Sequence, residues 1–269
     1  AFSGSNVKEV HIDGNVGSIN GGSFSGATQL NELYIGGDVG TINAGAFGGN
    51  YNLSEIYIGG NISDIGLAAF NGFSTLTHIE VGGEIHNISS YAFQSSGIES
   101  IERTNSLTNI GSAAFQNCTS LTSIEIPDSI GAINVDTFHG CSSLSSIILS
   151  DSVENIGDRA FRNCSSLTSI DITDSVESIG EIAFENCSSL ESITLSDSLE
   201  EINSAAFRNC TSLTSVELPD TLTSIGYSVF YGCSSLTEIT IPSSLTNIGS
   251  GSFSGTNITS VEWGAEGLE

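Results

Sequence analysis

Apolar residues recur along this chain with a period far longer than that of a helix or a strand. Phe stands at 2, 24, 47, 70, 93, 115, 138, 161, 184, 207, 230 and 253, at intervals of 23 residues except for two of 22, from Phe2 to Phe24 and from Phe93 to Phe115. Five or six positions after each Phe comes another apolar residue, from Val7 and Leu30 through Leu121 and Leu144 to Ile258. Within a unit Ile124 and Ile126 alternate with polar residues, the period-two pattern of a half-buried strand. Ile130 and Ile133 follow a turn signal, Pro127-Asp128-Ser129 here and Gly-Gly in the early units. The small residue and Phe that come next predict a short segment of about one helical or 3-10 turn.

A unit of this size cannot bury its apolar positions alone, whereas stacked copies align them into continuous interior ladders. Each buried Leu, Ile or Phe contributes roughly 1.5–3 kcal/mol. The expectation is a mostly β repeat solenoid of about twelve strands, roughly 55 Å long at ~4.8 Å per strand. It is expected to form one domain over 1–269, with Gly-Gly units over about 1–97 and Cys-containing units over about 98–269.

The consensus L-x-x-I-x-I-P-x-S-V/I/L-x-x-I-G-x-x-A-F-x-x-C, clearest from Leu121 to Gly249, resembles the BspA-like leucine-rich repeats of bacterial and protist surface proteins. The resemblance covers essentially the whole chain. It implies a right-handed leucine-rich-repeat solenoid with parallel strands on a concave face and short 3-10, helical or extended segments on the convex face. It says little about the ligand, since members differ in what they bind. The first four units depart from the consensus, with Gly36-Gly37, Gly59-Gly60 and Gly82-Gly83 in the turn and no Cys. One strand ladder runs Ile12, Ile35, Ile58, Val81, Arg103, Ile126, and the arginine breaks it. Either Arg103 is buried beside Glu99 or Glu102, or a local bulge turns it outward.

The formal charge is −26, from 5 basic and 31 acidic residues. So few cations cannot neutralise a run of phosphates, and an anionic bilayer would repel the chain, so neither nucleic acid nor a membrane surface is the expected partner. No apolar run is long enough for a membrane span. With 38% hydrophobic residues the chain can still bury a core.

Outward strand positions supply candidate chemistry. One column reads Glu9, Glu32, Glu55, His78 and the other His11, Tyr34, Tyr57, Glu80. Aromatic rings beside carboxylates suit a sugar or a basic protein segment, although Tyr and Thr also favour exposed strands by propensity alone. After the strand a second column, Asp128, Asp151, Asp174, Asp197 and Asp220, suits Asx turns or, more weakly, Ca²⁺. No EF-hand loop accompanies it, and no other metal or cofactor is expected.

Six Cys, at 118, 141, 164, 187, 210 and 233, share one repeat slot, which predicts buried thiols rather than disulfides. Eight N-x-S/T sequons occur, at Asn52, Asn61, Asn87, Asn117, Asn163, Asn186, Asn209 and Asn257; four carry the repeat's Cys and are expected to serve turns. His11, His78, His86 and His139 lie at different repeat positions, and no nucleophile elbow, P-loop or dinucleotide fingerprint occurs, so no enzyme is expected.

The expected function is non-catalytic recognition or adhesion at the cell surface or outside the cell, through the concave strand face, toward a protein or glycan. The alternative is a structural subunit that self-associates head to tail. The chain reads as an excised or mature segment, with Phe2, Val7, Val10 and Ile12 exposed at one end and Ile258, Val261 and Trp263 at the other.

Overall fold

The computed structural model describes residues 1–264. It divides into two compact units, residues 1–130 and the segment beginning at Gly131. Each is a parallel β-solenoid, and no α-helix occurs among the described residues.

In the first unit the strands are β1 (Glu9–Ile12), β2 (Val16–Ile19), β3 (Glu32–Ile35), β4 (Val39–Ile42), β5 (Glu55–Ile58), β6 (Ile62–Ile65), β7 (His78–Val81), β8 (Asn87–Ile88), β9 (Asn109–Ile110) and β10 (Ser123–Glu125). The first nine form two parallel sheets, β1-β3-β5-β7 and β2-β4-β6-β8-β9. The second unit holds β11 (Ala132–Ile133), β12 (Ser146–Ile148), β13 (Asn155–Ile156), β14 (Ser169–Asp171), β15 (Ser178–Ile179), β16 (Ser192–Thr194), β17 (Glu201–Ile202), β18 (Ser224–Ile225), β19 (Glu238–Ile241), β20 (Asn247–Ile248) and β21 (Ser260–Trp263). Its long sheet is β11-β13-β15-β17-β18-β20, with shorter pairs β14-β16 and β19-β21. The second ladder is the one that alternation does not announce. It is built on residue pairs ending in Ile, Asn-Ile and Ser-Ile with Ala132-Ile133 and Glu201-Ile202, too short to show a period.

The Phe segment forms the third side of each turn, and it is not helical. Two residues in it, two before and two after the Phe, take the left-handed conformation in unit after unit. Around Phe161 they are Arg159 (φ 55) and Asn163 (φ 62), around Phe184 Ile182 (φ 60) and Asn186 (φ 63). Left-handed residues cannot continue a right-handed helix. The freed amides instead bond to the next turn, as Phe138 N to Ala160 O, Phe161 N to Ala183 O and Phe184 N to Ala206 O, at 2.7 to 2.8 Å. The position two after the Phe is therefore Gly or Asn in most units, the residues that tolerate positive φ best.

The interior is filled by ladders. Phe rings stack from Phe2 to Phe115 in the first unit and from Phe138 to Phe253 in the second, with centroids 5.1 to 5.7 Å apart. Each stacked pair adds about 0.5–1.5 kcal/mol to what burial contributes. The six Cys are free and buried. The thiols of Cys118, Cys164, Cys187, Cys210 and Cys233 donate to Phe carbonyls of the preceding turn, as Cys187 to Phe161 O and Cys210 to Phe184 O at 3.2 Å. Burial pushes the thiols of Cys118, Cys164, Cys187 and Cys210 up, Cys118 to about 11 and Cys187 to about 12. In the early units the same slot holds Ala27, Asn50, Phe73 and Ser96. Phe73 packs edge-on against Phe70, and Ser96 meets the Cys118 sulfur at 3.5 Å.

The Gly-Gly turns have their own explanation. Asn15, Asp38 and Asn61 each accept, through Oδ1, the backbone amide of the residue 23 positions on, at 2.8 to 2.9 Å. A Cβ on Gly37, Gly60 or Gly83 would lie 2.1 to 2.3 Å from those oxygens. The polar ladder occupies the space of a side chain.

Arg103 turns outward. It adopts φ 62 and is exposed, while Thr104 is buried and donates its hydroxyl to Glu125 O at 3.2 Å. The one-residue shortening between Phe93 and Phe115 thus moves the inward position from 103 to 104, and no strand forms over 98–104. The expectation for the two ends is partly corrected. Phe2, Val261 and Trp263 are exposed, at 40%, 47% and 65%. Val10 is buried, because β1 pairs along its whole length with β3 and Val10 lies inward beside Leu33. Val7, Ile12 and Ile258 are half-buried. Residues 265–269 lie outside the described residues.

Candidate functional site

Parallel, in-register pairing puts the first set of candidate residues on one surface. Across β1-β3-β5-β7, Glu9 pairs with Glu32, Glu32 with Glu55 and Glu55 with His78. Two residues on, His11 pairs with Tyr34, Tyr34 with Tyr57 and Tyr57 with Glu80. Alternate residues share a face, and the residues between them, Val10, Leu33, Ile56 and Ile79, are buried. All eight side chains therefore stand on the outer side of one four-stranded sheet.

Local contacts order this face. The His11 and Tyr34 rings lie 5.6 Å apart. His11 Nε2 is 3.9 Å from Glu9 Oε2, a contact between exposed groups and so weak. The Tyr57 hydroxyl donates to Glu55 Oε2. That bond, with lesser contributions from burial, Glu55 charge, Glu32 and Glu80, pushes the Tyr57 phenol up to about 12. Tyr34 is 42% exposed and Tyr57 half-buried, so the face presents two rings at different depths among carboxylates.

The Asp column is exposed at every member, at the tips of turns. At two of these turns the capping side chain is the preceding serine: Ser150 Oγ accepts the Ser152 amide at 3.4 Å and Ser196 Oγ the Ser198 amide at 3.0 Å. Among the described residues no three His, Cys, Asp or Glu side chains converge as a metal site would require. In the second unit Asp197 and Asp220 border an open groove of about 540 Å³ that also meets Ser192, Thr194, Ser215 and Glu217.

A charged cluster on the Phe side of the second unit was not anticipated. Arg159 grips Asp136 with Nε and Nη2 at 2.9 and 3.0 Å, and Asp136 also meets His139 Nδ1 at 3.1 Å. Arg162 Nε lies 2.7 Å from the buried Glu185, a charge contact without the alignment of a hydrogen bond. Arg208 reaches the same carboxylate at 3.6 Å and lies over the Tyr231 ring at 5.2 Å. Alongside, Asn186 Nδ2 donates to Asn163 Oδ1 and Asn209 Nδ2 to Asn186 Oδ1, at 2.8 and 3.0 Å. Three of the repeat's sequon asparagines thus serve the turn. The signal was present in the sequence as Arg at 159, 162 and 208, but only alignment by units shows which side chains meet.

Registered parallel strands, stacked Phe rings and a leucine ladder define a leucine-rich-repeat protein. The family profile described as "BspA type Leucine rich repeat region" matches residues 1–122, 108–211 and 154–267, and the chain belongs to that family. No curated protein matches it. Among solved structures, a leucine-rich repeat protein of T. pallidum is 32% identical over 52% of this chain and 57% of its own, with a TM-score of 0.42. The match therefore spans little more than half of that protein. A leucine-rich repeat protein of Bacteroides ovatus is 23% identical over 92% of this chain and 87% of its own, TM-score 0.47. A leucine rich cell surface protein of Faecalibacterium prausnitzii is 20% identical over 97% of this chain and 84% of its own, TM-score 0.48. No helix among the described residues is long and apolar enough to cross a membrane.

Proposed function

We propose that the chain is a non-catalytic recognition module, displayed at the cell surface or outside the cell, that binds a basic segment of a protein partner through the outer face of β1-β3-β5-β7. The observation that carries this reading is the registered double column of Glu9, Glu32, Glu55, His78 and His11, Tyr34, Tyr57, Glu80. Carboxylates at this density attract a cationic segment over a distance, and the two tyrosines supply amphipathic anchors once it has arrived. The family, whose members resemble surface-displayed binders, supports the class of function. A net charge of −26 keeps a displayed module soluble and favours cationic partners.

The test is titration with a short Lys/Arg-rich peptide at two salt concentrations. Binding is expected to weaken with salt, and the Tyr34→Ala/Tyr57→Ala double variant is expected to lose roughly tenfold in affinity at unchanged melting temperature. If Asp151→Asn/Asp174→Asn weakens binding more than the tyrosine pair, the face has been misassigned.

A further inference from the structure

We propose that the Phe side of the second unit carries a separate binding surface for a saccharide bearing one carboxylate, built on Arg208, Tyr231 and Tyr227.

The first argument is local charge. Glu185 is 6% exposed and has Arg162 at 2.7 Å and Arg208 at 3.6 Å, so two guanidinium groups share one carboxylate. Arg159 is matched separately by Asp136. Asp158 and Glu181 also act on Arg159. Of the two groups on Glu185, Arg208 is the more distant and the more exposed: its side chain is 45% exposed against 35% for Arg162. The acidic residues three places before successive Phe, Asp158 and Glu181, give way to Ser204 and then Tyr227 as the turns approach Arg208. Arg208 is thus an accessible guanidinium at the point where the acidic column of the preceding turns ends.

The second argument is geometry. The Arg208 guanidinium lies 5.2 Å from the centre of the Tyr231 ring, a stack that steadies a planar fork suited to two-point recognition of a carboxylate. Tyr227, four residues earlier, is 65% exposed. Its amide donates to Ser204 Oγ at 3.3 Å, its carbonyl accepts Ala205 N at 2.8 Å, and the Tyr231 carbonyl accepts Asn209 N at 2.7 Å. Both rings therefore rise from a backbone tied to the preceding turn. The fold does not require Tyr227, since the same place holds Ser204 in the turn before and Ser250 in the turn after. An exposed aromatic ring on an anchored backbone offers a face on which a sugar ring can stack.

Charge also selects the occupant. A polyacidic peptide meets one favourable arginine and then the repulsion of a chain at −26, whereas an oligosaccharide with a single carboxylate brings one negative charge to the arginine and meets far less repulsion. Its pyranose faces match the exposed ring.

The experiment uses the whole chain with 3′-sialyllactose, lactose and a hexaglutamate peptide, followed by ligand-observed NMR and calorimetry. Sialyllactose is expected to bind, with lactose weaker by roughly tenfold or more, as loss of a charge-assisted hydrogen bond implies. Arg208→Gln and Tyr227→Ala are each expected to weaken sialyllactose binding to a similar extent, with melting curves checking the fold. Tyr227 lies outside the charge network, so its variant tests the surface even if Arg208→Gln perturbs packing. Lactose binding as tightly, hexaglutamate binding more tightly, indifference to both substitutions, or no binding by sialyllactose would each overturn the proposal.

Discussion

Gly60 passes so close to Asp38 that a Cβ on the glycine would lie 2.3 Å from the Asp38 Oδ1 atom. That oxygen already accepts the Asn61 amide at 2.8 Å. Gly60→Ala must therefore either displace a ladder hydrogen bond or shift backbone, and small-to-large changes in packed sites cost about 1–3 kcal/mol. Gly14→Ala, with nothing within 4 Å, is the matched control and is expected to change stability little. Chemical denaturation of the two variants checks the difference.

Ile182 carries a β-branched side chain at φ 60. The left-handed region costs an L-residue roughly 1–2 kcal/mol, part of which glycine returns to the entropy of the unfolded chain. Ile182→Gly is expected to raise stability by about 1 kcal/mol, against the usual direction for a larger-to-smaller change. A lower denaturation midpoint would show that contacts of the Ile182 side chain outweigh the backbone strain.

Asn50 occupies the slot that Cys takes in later units. It is fully buried, and its Nδ2 has no acceptor, although its Oδ1 accepts the Asn52 amide at 3.1 Å. A buried orphan donor costs about 1–3 kcal/mol. Asn50→Cys installs the residue of the later units and is expected to raise the melting temperature. A fall would mean that the bond to Asn52 matters more than the orphan.

The buried thiols set a pH dependence. The folded values of Cys118, Cys164, Cys187 and Cys210 lie above the ordinary 9.0, near 11 for Cys118 and near 12 for Cys187, because burial disfavours the thiolate. Below pH 9 both states hold the proton and the full contribution is present. As pH rises from 9 toward 12 the unfolded chain releases protons that the native chain keeps, so native stability falls. Melting temperature measured across that range is expected to drop, and to drop less in Cys118→Ala/Cys187→Ala. Denatured without reductant, the chain should show six titratable thiols. Finding disulfides would contradict the shared-slot arrangement.

The repeat was legible because Phe and Leu are large, apolar and regularly spaced, and burial enforces both properties in every unit. The break at Arg103 was legible for the same reason: a charge in an apolar column must go somewhere, and φ 62 with Thr104 inward is where it went. The left-handed position two before each Phe was hidden, because its occupants include Ala68, Tyr91, Asp136, Arg159 and Ile182 and follow no composition rule. The turns suppress helix formation by bonding to the next unit, which no local propensity records. The Arg162–Glu185–Arg208 cluster is spaced by one repeat, so it emerges only when the units are aligned on the Phe, and its distances only from the fold. The binding-face columns could be written down, but not the depth at which Tyr34 and Tyr57 sit or the Glu55 bond that fixes Tyr57.

The hydrogen-bonded partners of nearly every turn lie one repeat away, as with Asp38 and Asn61, Asn163 and Asn186, or Phe161 and Ala183. Such a chain has an unusual grammar of insertion. Adding or removing a whole unit re-creates every bond with a new partner of the same kind, so gene-level duplication is a small structural perturbation. Adding or removing a single residue is not, and the stretch around Arg103 shows the result in miniature: one ladder skips a rung there, while β8 and β9 on the neighbouring side remain paired. Length in this architecture is adjustable in steps of a unit, and the binding surface can lengthen with it without redesign of the core.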